Sequence, residues 1–130
     1  VGNEISDRIA LFLKKANQKL QTSKKLYDDE EYEDAISRAY YAMYHAARAL
    51  LLTKNIEPKT HKGVLTSLGQ FFIKTGTLER AYGKMLAYAK ELRENGDYSE
   101  YYVAAEEDAK IVIDDAQKFI EEIKSILQKK

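Results

Sequence analysis

The chain has 130 residues, 45% hydrophobic and 32% charged, with no cysteine and a formal net charge of zero. That composition suits one folded domain spanning 1–130 and excludes a disordered chain, a disulfide framework and thiolate chemistry. The balanced charge provides no global field to gather nucleic acid, although its distribution is uneven. Residues 1–90 hold 15 Lys/Arg and 10 Asp/Glu, while residues 91–122 hold 3 and 11. The last helix then has an acidic solvent face, or, alternatively, the acidic part leaves any anion-binding surface to the helices before it.

No apolar run is long and uncharged enough for a membrane span, and no export signal is expected. A cytoplasmic location is the default expectation. Six glycines and the single Pro58 leave few breakers, which favours helices joined by short connections.

In chain order, the first helix is expected over 3–28. Ile5, Ile9, Phe12, Leu13, Ala16, Leu20 and Tyr27 form its apolar stripe. The carboxylates at 28–31 end it, because negative charge at a helix C-terminus opposes the dipole. A second helix is expected over 32–54, with Ile36, Tyr40, Met43, Ala47, Leu50 and Leu51 inward. Ala39, Ala42, Ala46 and Ala49 leave room for close helix approach. After a loop at 55–59, Thr60 is placed to cap a third helix over 61–74, and Gly76-Thr77 punctuates.

A fourth helix is expected over 78–94, ended by Asn95-Gly96-Asp97 read as a turn. The fifth, over 101–127, has the cleanest period: Ala105, Ala109, Val112, Ala116, Phe119, Ile123 and Ile126. These elements predict an all-α, antiparallel up-and-down bundle of about five helices.

Several chemistries drop out. With only His45 and His61 and no cysteine, a metal site is not expected. No phosphate loop, nucleophile elbow or dinucleotide fingerprint is present, and no cofactor is expected. What stands out is a ridge on the second helix. Asp34, Arg38, Tyr41, His45 and Arg48 follow spacings of four, three, four and three. Guanidinium, phenol and imidazole groups bind anions and move protons, where a solvated face usually mixes Lys, Glu and Gln. The alternative is an Asp34–Arg38 ion pair beside a packing histidine, and spacing alone does not separate the two readings.

The run from Ser37 to Leu51, with its core Arg38-Ala39-Tyr40-Tyr41-Ala42-Met43-Tyr44-His45-Ala46-Ala47-Arg48, resembles the signature helix of the HEPN superfamily. It is most similar to that superfamily's small stand-alone archaeal and bacterial members. The similarity continues through Thr60-His61-Lys62-Gly63-Val64 and through Arg93 with Gly96-Asp97-Tyr98, covering nearly the whole chain. The resemblance implies a homodimer that brings two Arg–His motifs together. It also implies metal-independent RNA cleavage of the toxin kind, with a nucleotidyltransferase as partner protein.

On that footing Arg38 and His45 are the candidate catalytic residues. Tyr41, Arg48, His61 and Lys62 are candidate binding residues for RNA or a nucleotide. Two departures keep a non-catalytic nucleotide-binding or partner-binding module open as the alternative. Ala39 follows the arginine where active members often have a polar residue. Ala47 stands two places after the histidine, where some toxins carry a modified tyrosine.

Overall fold

The computed structural model describes residues 2–129. Five α-helices follow one another: α1 (Gly2–Asp28), α2 (Tyr32–Leu52), α3 (His61–Leu68), α4 (Arg80–Tyr98) and α5 (Glu106–Gln128). A single π-helical turn, Gly69–Ile73, extends α3. The described residues form an all-α bundle, as the periodicity predicts.

α2 is the central element and packs against α1, α3, α4 and α5, most extensively against α1. Its small residues explain the position. Ala39, Ala42, Ala46 and Ala49 are all fully buried, so neighbouring helices approach on several sides without a long side chain between them. The buried residues merge into one cluster that includes Tyr40, Phe72 and Phe119. On α5 the expected stripe is buried from Ala109 to Ile126, while Ala105 is exposed just before the helix.

α1 and α2 are also joined by a hydrogen bond. The Ser23 hydroxyl, fully buried, donates to the Ala35 carbonyl at 2.7 Å. Replacing Ser23 with alanine should cost about 0.5–1.5 kcal/mol, the net value of one such bond. Urea denaturation would read this as a lower midpoint with unchanged slope. An unchanged midpoint would mean that the bond contributes nothing to holding the helix pair.

The boundaries follow local chemistry. α1 stops at Asp28, and Glu30 takes the left-handed conformation with φ of 63°. The Thr60 side chain caps α3, accepting from the Gly63 N–H at 2.9 Å. Gly76, with φ of 82°, turns the chain toward α4.

One boundary departs from expectation. Asn95-Gly96-Asp97 is not a turn but part of α4, which runs on to Tyr98. Two interactions carry the helix through. Arg93 and Asp97 form an ion pair at 3.1 Å one turn apart. Gly96 also lies so near α2 that a Cβ there would sit 2.7 Å from Glu33 Oε1. Here the glycine serves close approach rather than chain reversal. Residues 99–105 make the connection instead, and α5 starts at Glu106 rather than Tyr101. Glu106, Glu107 and Asp108 fill its first turn, where negative charge suits the dipole.

Candidate functional site

The ridge expected on α2 exists, but its members differ in environment. Asp34 and Arg38 are exposed, while Tyr41, His45 and Arg48 are half-buried. Among the described residues the ion pairs are Arg8–Glu57, Lys90–Glu94, Arg93–Asp97 and Lys110–Asp114, so Asp34 and Arg38 do not pair. The Arg38 guanidinium therefore stands open on the surface, two turns from His45 and about 10 Å from it along the helix axis.

His45 sits where α2 meets α1. Its ring stacks with that of Phe12 at 6.2 Å between centroids and 18° between planes. The Tyr44 and Tyr41 rings lie 5.8 Å and 6.5 Å away. Its Nδ1 is buried with no hydrogen-bond partner among the described residues. Burial first, and then the positive charges of Lys15, Arg48 and Lys19, push the imidazole down to about 4. The imidazole is therefore neutral at physiological pH, in a field that favours anions.

This shift has a consequence for stability. The unfolded chain takes up the His45 proton near pH 6.5, whereas the folded chain resists until about 4. Between those values the unfolded state binds more protons, so this contribution is fully present above pH 6.5 and is lost as pH falls toward 4. His45→Gln should flatten that part of the profile of Tm against pH. Parallel profiles for the two proteins would contradict the assignment.

Arg48, one turn beyond His45, lies over the Phe12 ring at 4.4 Å and near the Tyr44 ring at 5.7 Å. Cations therefore line this end of the ridge from α1 and α2 together.

On the other side of Tyr44 stands His61, from the start of α3. The Tyr44 and His61 rings stack at 4.4 Å and 17°. The Tyr40 hydroxyl meets His61 Nδ1 at 2.7 Å. Burial, followed by Arg93 and Lys90, lowers the His61 imidazole as well. Lys62 is exposed beside it and enters none of the hydrogen bonds or ion pairs among the described residues.

Of the candidate residues, the fold brings Tyr41, His45, Arg48 and His61 together around Tyr44. Arg38 lies further along the same ridge, and Lys62 faces solvent. Two contributors escape sequence reasoning. Phe12 reads as ordinary core in the α1 stripe. Tyr44 reads as one tyrosine among ten. Arg93, which the resemblance includes without giving it a role, lies over the Tyr41 ring at 5.1 Å.

No three His, Cys, Asp or Glu side chains among the described residues group as metal ligands. Clefts of about 290, 670 and 440 Å³ lie on other parts of the surface, lined respectively by Tyr27 with Ile113, by Leu13 with Gln21, and by Tyr32 with Tyr102. No helix among the described residues is long and apolar enough to cross a membrane.

The class of protein is an all-α helical bundle, and similarity to known proteins gives its family. Residues 9–126 match the HEPN domain, and the chain belongs to the HEPN family. A protein of Methanocaldococcus jannaschii that bears the name "Putative toxin" is 37% identical over 98% of this chain and 95% of its own. A second protein of that organism, with the same designation, is 36% identical over 88% of this chain and 78% of its own. A "UPF0332 protein" of Thermotoga maritima is 32% identical over 97% of this chain and 96% of its own.

Proposed function

We propose that this HEPN protein is a toxin-like, metal-independent endoribonuclease that acts as a homodimer in the cytoplasm. The carrying observation is the neutral His45, set among Lys15, Lys19 and Arg48 on the ridge that also holds the unpaired Arg38. Such a face holds a phosphodiester by charge and presents a base beside it. The designation of two relatives as putative toxins supports the same reading.

RNA cleavage without metal needs three things: deprotonation of the 2′-OH, stabilisation of the phosphorane, and a proton for the departing 5′-oxygen. His45 accepts the 2′ proton. The 2′-oxygen then attacks phosphorus and forms the new O–P bond. Arg38 binds two non-bridging oxygens through its fork, and the P–O5′ bond breaks. The leaving oxygen takes a proton from an imidazolium or from water, leaving a 2′,3′-cyclic phosphate and a 5′-OH. His45 at about 4 is a weak base alone, and the bound phosphodiester raises its affinity for a proton by opposing the lysine field.

One chain supplies one arginine and one histidine, so a two-fold dimer supplies two of each. The uncovered end of the α1 stripe supports pairing. Ile5 is exposed, and Ile9 and Phe12 are partly so, although their spacing is that of a core face. This strip leads to Phe12 beside His45. A nucleotidyltransferase antitoxin as partner protein belongs to the same reading.

The test is incubation of the purified protein with mixed RNA in EDTA, with product ends assigned chemically. Fragments ending in 2′,3′-cyclic phosphate are expected. RNA left intact across ribosomal, transfer and messenger classes would remove the catalytic reading. The low basicity of His45 favours one alternative, a nucleotide-binding module on the same face. Thermal protection by nucleotides without cleavage would establish it.

A further inference from the structure

The mechanism above uses the His45 end of the face and leaves the His61 end without a role. Tyr40 is buried to 1% exposure, and its hydroxyl has one hydrogen-bond partner among the described residues, His61 Nδ1 at 2.7 Å. If Nδ1 carried the ring proton and donated it, the buried O–H of Tyr40 would have no acceptor, which is costly. The hydroxyl therefore donates and Nδ1 accepts. In the neutral imidazole the proton then sits on Nε2, on a residue that is only partly buried. Burial also keeps the Tyr40 phenol protonated well beyond its usual range.

Stacking on Tyr44 and edge contact with Tyr41 at 5.8 Å hold the plane of the His61 ring. The result is an oriented N–H donor that gives a hydrogen bond without surrendering its proton. Arg93 covers the same two tyrosines, 5.1 Å from the Tyr41 centroid and 5.6 Å from that of Tyr40. One of its nitrogens, Nη2, is tied to Asp97 at 3.1 Å, which fixes the fork and leaves its other N–H groups for a ligand.

We propose that His61 Nε2–H and the Arg93 guanidinium form a second anion subsite, which binds a neighbouring phosphodiester of the single-stranded nucleic acid, and that Tyr40 is its positioning residue. This rests on the reading that the face binds RNA. A polymer is the fitting ligand because Tyr44 joins the two ends of the face. A strand with repeating phosphates spans the Arg38–His45 end and the His61–Arg93 end at once, whereas a lone phosphate occupies one.

The probe is a fluorescently labelled single-stranded DNA oligonucleotide, which lacks the 2′-OH and so reports binding without cleavage. Fluorescence anisotropy at several salt concentrations gives affinity and its salt slope. Arg93→Gln should weaken binding about tenfold and reduce the slope by about 0.7, the value for one phosphate contact on a single strand. Arg93→Lys keeps the charge and the Asp97 pair, and should weaken binding less while keeping the slope. Tyr40→Phe should weaken binding several-fold with the slope unchanged.

Nitrogen-15 NMR of the His61 ring should show the Nε2–H tautomer in the wild type and a mixture in Tyr40→Phe. Circular dichroism checks that each variant keeps its helices. Inorganic phosphate should compete only weakly, and displacement of the strand by low-millimolar phosphate would identify a free-anion site instead. Unchanged oligonucleotide affinity in Arg93→Gln and Tyr40→Phe, or an Nδ1–H tautomer in the wild type, would overturn the proposal. RNA cleavage by the wild type, measured in parallel, separates the two claims. Cleavage with unaltered strand binding in the variants removes the subsite alone. Arg93-dependent strand binding without cleavage removes the ribonuclease reading alone.

Discussion

Replacing His45 with alanine is expected to lower the rate of RNA cleavage by about 10²–10⁴-fold, the usual contribution of one positioned acid–base group. His45 is half-buried at the edge of the α1–α2 contact, so the variant should remain helical. The reading fails if the alanine variant yields cyclic-phosphate ends at the wild-type rate. The pH profile adds a sign. A base must be unprotonated to act, so kcat/KM should rise as pH increases through about 4 and level off above it. Lys15→Ala or Lys19→Ala removes a positive charge facing the ring, which makes the imidazole more basic and should move that rise to higher pH. A profile that breaks at the same pH in all three proteins would show that the α1 lysines do not act on His45.

The second large effect concerns Arg38. Removing a guanidinium that binds phosphate forfeits about 1.5–3 kcal/mol of charge-assisted hydrogen bonding, or about 10- to 150-fold in kcat/KM. Arg38→Ala should therefore be severely impaired while its Tm stays close to wild type, because Arg38 is exposed and enters no ion pair among the described residues. Arg38→Lys keeps the charge but loses the two-pronged geometry and should recover only part of the rate.

Mixing the two variants examines the shared site. In a dimer whose Arg38 and His45 act across the two-fold axis, a mixed dimer of Arg38→Ala and His45→Ala contains one intact site. After subunit exchange, equal amounts should regain about a quarter of wild-type activity. No recovery, with exchange shown to have occurred, would mean that arginine and histidine act within one chain.

The fold was largely readable from periodicity, and the reasons are local. The α5 stripe repeats every three or four residues, and the alanines of α2 mark the element that others crowd around. Where reading failed, a tertiary contact had overridden a local preference. Asn95-Gly96-Asp97 has the composition of a turn, but Gly96 packs closely on Glu33 of α2 and the Arg93–Asp97 pair continues the helix.

The candidate site divides in the same way. Spacing along α2 determined that Arg38, Tyr41, His45 and Arg48 share a ridge, because residues three and four apart on a helix are neighbours whatever surrounds them. The resemblance carried by that helix pointed to the family. Spacing did not determine the state of the ridge. Whether His45 was charged and where His61 lay depended on side chains from other helices. The lysines that depress His45 come from α1. The ring that faces the Tyr40 hydroxyl lies 21 residues further along the chain. Helical periodicity is set by a backbone repeat within one segment, whereas burial, proton affinity and hydrogen-bond partners are set by what the other segments bring, and only the packed bundle decides those.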